Sequence, residues 1–253
     1  MKKNLFILLG ILTIFNFNIY AGGQAEEDNT LVVASNCEWP PLEFVDKNGD
    51  LAGFEIELIA ALETVTDYKF EVVNVAWDGI FAGLSNGAYD LIASGVSVTE
   101  ERKPKMEFST PILEITQSII IPTGSTGIST LNDLKAKKVG VQIGTTGHLV
   151  LLDNEELNVD VKAYDNIALA IEDLLNGNLD AVVTDSVVAS DYVVVNDSYK
   201  GKLAVAGIAS DDAEPIAMAF KKGDLDTLKI VNAGIAKLEA NGELAKLKAK
   251  WNL

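Results

Sequence analysis

The run KKVGVQIGTTGHLVLLDN, residues 137 to 154, decides the fold. KKVGVQIG reads as a strand of small and β-branched residues that ends in a glycine turn. TGHLVLLDN then has helical spacing. The pattern continues with VDVKAY (159 to 164) as a strand and NIALAIEDLLNGN (166 to 178) as a helix stopped by glycine. LDAVVTD (179 to 185) is again a strand, and the valine-rich SVVASDYVVVN (186 to 196) is a helix candidate. This β-α-β-α-β order predicts a sheet with parallel strands and helices on its faces.

The same order occurs earlier in the chain. LVVAS (31 to 35), YKFEVVNV (68 to 75) and YDLIASGV (89 to 96) read as strands. Between them, GFEIELIAALETV (53 to 65) places Phe54, Ile56, Leu58, Ile59, Leu62 and Val65 at helical spacing, and WDGIFAGLSNG (77 to 87) reads as a short helix ended by Gly87. Two long extended stretches, 107 to 127 and 203 to 223, separate the second unit from its flanks. They predict two crossing strands and a hinge. Lobe 1 is then discontinuous, 30 to 112 plus 214 to 253, and lobe 2 covers 113 to 213. The tail from 225 onward is two helices split at Asn241-Gly242.

The fold expected is therefore α/β and two-lobed, each lobe a mostly parallel sheet flanked by helices. The 253 residues are ample for this. The net charge of −17 repels phosphates, so no nucleic acid partner is expected, and it argues against attachment to anionic lipid. MKKN followed by the apolar run LFILLGILTIF (5 to 15) and the small residue Ala21 reads as a signal peptide over 1 to 21. The run is too short to cross a bilayer, which takes about 20 residues. GGQAEEDN (22 to 29) reads as a flexible leader. The protein is thus expected outside the cytoplasm, in the periplasm or an equivalent compartment. The one cysteine, Cys37, cannot form an internal disulfide and does not lie where a lipid anchor would be attached.

Ligands of open α/β sheets sit beyond the carboxyl ends of strands. Those ends carry Asn36 to Trp39, Ser94-Gly95, Gly144 to Thr146, and Asp185. In NCEWPPLEF (36 to 44), two prolines make a rigid, non-helical corner beside a tryptophan, suited either to a packing plug or to a pocket wall. In ASGVSVTEER (93 to 102), Arg102 can set a fork of donors on a carboxylate with help from Ser97, or pair on the surface with Glu100 or Glu101. GTTG (144 to 147) suits an anion at a helix start or simply a capped helix. It lacks the spacing of a nucleotide loop. Asp185 can accept from an ammonium group or cap the next helix. Trp39 and Trp77 can sandwich an apolar or cationic side chain. Taken together these features compose a site for a zwitterionic amino acid.

At this point the sequence resembles the bacterial extracellular amino-acid-binding proteins that feed ABC importers, the family 3 solute-binding class. The resemblance runs from about residue 30 to the end, through NCEWPPLEF, GDLAGFEIEL, WDGIFAGLSNGAYDLIASGVSVTEER, KKVGVQIGTTG and NLDAVVTDSVVAS in family order. It implies that Arg102, with Thr146 and the Ser97 region, clamps the α-carboxylate and that Asp185 takes the α-amino group. Trp39 stacks on the ligand side chain with Trp77 facing it, and Ser94 and Gly95 line the same wall. Asn36 stands where some members carry an acid. The partners implied are a free amino acid and an ABC permease in the inner membrane, with the binding protein a monomer. No cofactor, no metal and no catalytic residue is expected.

The side chain of the ligand is expected to be basic, arginine or lysine, with glutamine next. The tryptophans favour a cation, Glu38 and Glu43 are nearby acids for its end, and Gln142 suits an amide. Two rivals use the same scaffold. A cyclohexadienyl dehydratase would need a general acid in the cleft, yet the only histidine is His148 and no tuned acid stands out. A ligand-sensing subunit would need a separate membrane partner. Cys37 lies in the first ligand loop and either touches the pocket or packs.

Overall fold

Three parallel strands open the structure, a computed structural model that describes residues 29 to 253. The signal-peptide reading of 1 to 21 and the leader reading up to residue 28 lie outside the described residues. Strand β1 (Thr30–Ser35) pairs in parallel with β5 (Lys69–Asn74) and β6 (Leu91–Ile92). A small sheet of β2 (Glu38–Trp39), β3 (Glu43–Val45) and β4 (Leu51–Ala52) follows β1. Helix α1 (Phe54–Val65) leads to β5, and α2 (Ile80–Asn86), closed by Gly87 in the left-handed conformation, leads to β6. The YDLIASGV strand is cut short because Gly95 turns at φ +56°. β7 (Met106–Phe108) then ends the first pass.

The long strand β8 (Leu113–Pro122) crosses into the second unit. There β9 (Lys138–Gln142), β10 (Asp160–Tyr164) and β11 (Ala181–Asp185) are parallel, with α3 (Thr146–Leu152) and α4 (Ile167–Leu175) between them. After β11, α5 (Ser186–Ser190) passes into a wider π-helical turn at Asp191–Val195. A single α-helix is interrupted there by three consecutive valines, which are restricted in a helix. β12 (Leu203–Ile216) crosses back, β13 (Ala219–Lys221) joins the first sheet, and α6 (Leu225–Ala240) and α7 (Glu243–Lys250) finish the chain, divided at Asn241-Gly242.

Two five-stranded sheets result, ordered β5-β1-β6-β13-β7 and β10-β9-β11-β8-β12. Each is mixed. Three parallel strands form one side, and the crossing segments add antiparallel pairs on the other, β13 with β6 and β7 and β8 with β11 and β12. The two crossings are tied together by Ile112 N–H to Ile216 O at 2.8 Å and Ser109 N–H to Met218 O at 2.9 Å.

Strand alternation fills both faces of each sheet. In the first, Val33, Phe70 and Leu91 pack with Leu58 and Leu62 of α1 and Ile235 and Leu238 of α6, while Ala34, Ile92 and Ala219 meet Ile80 and Leu84 of α2. In the second, Ile120 and Val182 pack with Ile167, Ile171 and Leu174 of α4, while Ile119, Val139, Val141 and Val183 meet Leu151 of α3. With both faces covered, the carboxyl ends of the strands are left to build a site.

Candidate functional site

Those ends meet. One cavity between the two sheets is lined by Asn36, Trp39, Trp77, Ser94, Gly95, Ser97, Arg102, Thr146 and Asp185, with Gln142 and Thr145 beside them. The nine residues that the resemblance assigns to the ligand share it. The walls lie close, leaving free space of about 10 Å3, room for about one water. Trp39 Nε1–H donates to Asp185 Oδ2 at 3.0 Å across the cleft, and Ser97 Oγ lies 3.4 Å from Thr146 Oγ1.

Arg102 is 8% exposed, which removes the surface-pair reading. Glu100 and Glu101 pair instead with Lys103 and Lys105. The turn that carries Arg102 begins at Thr99, whose Oγ1 accepts from Arg102 N–H at 3.2 Å. The guanidinium donates to Ser97 O at 3.0 Å and Gly144 O at 3.2 Å, and lies 4.9 Å from the Phe81 ring centre and 5.9 Å from that of Trp77. Burial lowers its pKa, and the charges of Asp185, Glu214 and Glu101 oppose that shift.

Asp185 holds the N-cap position of α5 but makes no side-chain cap bond. Its carboxylate turns into the cleft, where Gln117 Nε2–H donates to Oδ1 at 2.7 Å. Burial pushes its pKa up to about 6. The charge of Glu214 adds to the rise, while Gln117, Trp39 and Arg102 work against it. The GTTG turn is a capped helix start, and one of its threonines also lines the cavity. Thr145 caps α3 by accepting from His148 N–H, and Thr146 faces the cavity, bonded by Gln117 Nε2–H at 3.1 Å. A Cβ at Gly147 would stand 2.7 Å from Gln117 Oε1 and so would displace the amide that holds Asp185 and Thr146.

Two acids proposed for a cationic side chain are elsewhere. Glu38 is exposed, and neither it nor Glu43 lines the cavity. Glu43 is fully buried behind Ser94, because the alternation of β3 turns it inward. Two amides do line the cavity, Asn36 and Gln142, 3.4 Å apart between Oδ1 and Nε2. Cys37 packs: it is 2% exposed and outside the cavity lining, and burial raises its thiol pKa. His148 sits half-buried on α3 with Nδ1 accepting from Gly144 N–H.

Sequence reasoning missed Gln117 and Glu214 as parts of this neighbourhood. Gln117 had a signal. It is the amide in the apolar strand LEITQSIII, and a buried polar residue in such a run needs a partner. Glu214 carries a buried Oε2 without a partner and acts electrostatically on both Arg102 and Asp185, but its sequence context, AEPIA, gave no such sign.

Residues 31 to 253 match the family described as bacterial extracellular solute-binding proteins, family 3. A protein of Neisseria gonorrhoeae named as a probable histidine-binding protein is 39% identical over 87% of this chain and 81% of its own length. The L-cystine-binding protein TcyJ of Escherichia coli K12 is 36% identical over 90% of this chain and 84% of its own. Among solved structures, an ancestral arginine-binding protein bound to arginine superposes with a TM-score of 0.83 at 35% identity, over 88% of this chain and 98% of that one.

Proposed function

As the chain belongs to the bacterial extracellular solute-binding proteins, family 3, we propose that it captures a free polar amino acid and delivers it to an ABC importer in the membrane. The observation that carries this is the single cavity in which one buried arginine, one buried aspartate and two indoles converge. Arg102, with Ser97 and Thr146, takes the α-carboxylate, and Asp185 takes the α-ammonium. Trp39 and Trp77 flank the side chain, whose end meets Asn36 and Gln142. Ser94 and Gly95 supply the wall behind it.

Entry requires the walls to part. The lobes at 30 to 112 plus 214 to 253, and at 113 to 213, open and close about the two tied crossings. In closing on an amino acid, the ligand carboxylate replaces the carbonyls that Arg102 now bonds, and the ligand ammonium replaces the Trp39 N–H at Asp185. The closed monomer is then the form that the permease reads. Export through the segment 1 to 21 places the protein outside the cytoplasm.

A basic side chain, arginine or lysine, is favoured, with glutamine next. Glu214 and Asp185 give the site one more negative than positive group, and both tryptophans accept a cation on their faces. The amide pair of Asn36 and Gln142 suits glutamine, and it suits the imidazole of histidine, named for the Neisseria relative. The chain acts as a carrier and not as an enzyme.

The test is tryptophan fluorescence and calorimetry of the protein against the twenty amino acids. Saturable binding of arginine, lysine, histidine or glutamine supports the reading and ranks the side chains. No response and no heat from any of them sinks it.

A further inference from the structure

Behind the Ser94-Gly95 wall lie two acids that face away from the ligand cavity. Glu43 of β3 and Glu55 of the first turn of α1 are both fully buried. A continuous path joins them to the wall. Asn36 N–H donates to Ser94 Oγ at 2.9 Å, and the Ser94 hydroxyl donates to Glu43 Oε1 at 3.0 Å. Gly95 N–H donates to Glu55 Oε2 at 2.5 Å. The other oxygens, Glu43 Oε2 and Glu55 Oε1, have no partner if both groups are anions. Glu55 N–H donates to Leu42 O at 2.8 Å, which sets the two acids beside each other, and each acts on the ionisation of the other. One shared proton makes one of them a donor and the other its acceptor, and removes a repulsion between buried like charges.

We infer that Glu43 and Glu55 form an acid pair that shares a single proton, and that this pair positions Asn36, Ser94 and Gly95 for the ligand. Burial raises the pKa of both groups, that of Glu43 the more. Burial and the charge of Glu55 push the pKa of Glu43 well above the usual carboxylate range, whereas the Gly95 N–H partly offsets burial at Glu55. Among the described residues, no lysine, arginine or histidine bears on either group. The Cys37 thiol, on the turn after β1, is the further titratable group that bears on Glu43. Trp39 and Leu42 cover Gly95, where a Cβ would come within 3.1 Å of Trp39 Cδ1. Loss of the shared proton would therefore push apart two anions directly beneath the residues that seat Trp39.

The test uses the wild-type protein, Glu43→Gln and Glu55→Gln. At pH 8, with Asp185 and Asp191 ionised given pKa values of about 6, the infrared spectrum of the wild type should still show a protonated carboxyl stretch. Glu43→Gln should abolish it. In fluorescence titrations with L-arginine and L-histidine, the affinity of Glu43→Gln should depend less on alkaline pH than that of the wild type. The wild type should lose about tenfold more affinity than the variant as the band titrates away in alkali. A wild type without the band at pH 8, or an equal alkaline loss in the variant, overturns the pair. If Glu43→Gln does not fold, Glu55→Gln and the wild-type band decide. Only the titration rests on the amino-acid reading. If neither amino acid binds, that reading is in question, while the band still tests the pair.

Discussion

The two walls of the cleft are built on different principles. The wall from the first sheet carries the cation Arg102, both indoles and the Ser94-Gly95 turn, and it is braced from behind by the buried acids Glu43 and Glu55. The wall from the second sheet is smaller. It offers the anion Asp185 and the Thr145-Thr146 turn, held by a helix cap and by Gln117. In the proposed function, the first wall serves as a preorganised receptor for a carboxylate, and the second completes it with a counter-charge for an ammonium. Preorganisation lowers the ordering cost of binding on one side, so the motion can be left to the other.

The comparison breaks most visibly at Arg102. Arg102→Ala should cost about 3 to 5 kcal/mol of binding, at least a hundredfold in Kd for every amino acid, because a desolvated carboxylate loses its charged partner. Calorimetry would check it. A variant with normal affinity would show that the first wall is not the carboxylate receptor.

The second wall should matter less and in a pH-dependent way. Asp185→Asn keeps the shape and removes the charge, so binding should weaken by about 2 kcal/mol, some thirtyfold. In the wild type Asp185 must ionise to hold an ammonium. With its pKa raised to about 6 by burial, affinity should climb by up to about tenfold per unit from pH 4 to pH 6 and then flatten. Asp185→Asn should lack that climb. Stability has the opposite sign. A carboxyl whose folded pKa exceeds its unfolded value stabilises the fold fully below pH 3.8 and loses that contribution as pH rises through about 6. The loss is about 3 kcal/mol, and melts of wild type against Asp185→Asn, without amino acid, would read it.

The same contrast explains what could be read from sequence. The first wall was legible because its residues are unusual where they stand: a tryptophan before two prolines, and an arginine after ASGVSVTEE. Asp185 was legible as a charge ending an apolar strand. What was hidden depends on pairings distant in the chain. Glu43 looked like an acid for the ligand, and only the register of β3 against β2 and β4, together with the approach of α1, turns it toward Glu55. Glu214, which acts on Arg102 and Asp185 from beside the cavity, follows a register shift in β12 between Ser210 and Glu214 as that strand pairs with β8. The β-α-β-α-β repeat likewise showed two units, but the antiparallel halves of both sheets arise from the crossings, which carry no helical or turn punctuation of their own.

The smallest expected effect on affinity is the sharpest test of how the walls communicate. Trp39→Phe keeps an aromatic face and removes only the indole N–H, the donor that spans the cleft to Asp185. A hydrogen bond to a charged group contributes about 1.5 to 3 kcal/mol, here to closure in the absence of an amino acid. In the proposed function the ligand ammonium replaces that donor, so the bond should stabilise the closed form only without ligand. Removing it should enlarge the radius of gyration of the protein alone in X-ray scattering, while saturating L-arginine restores the wild-type value. Two opposing effects then meet in the affinity. Opening the protein without ligand frees Asp185 from a competitor, and losing indole area weakens the stacking. They should leave Kd within about threefold of wild type. An unchanged radius in both states would mean that the tied crossings, and not the indole, set the distance between the walls.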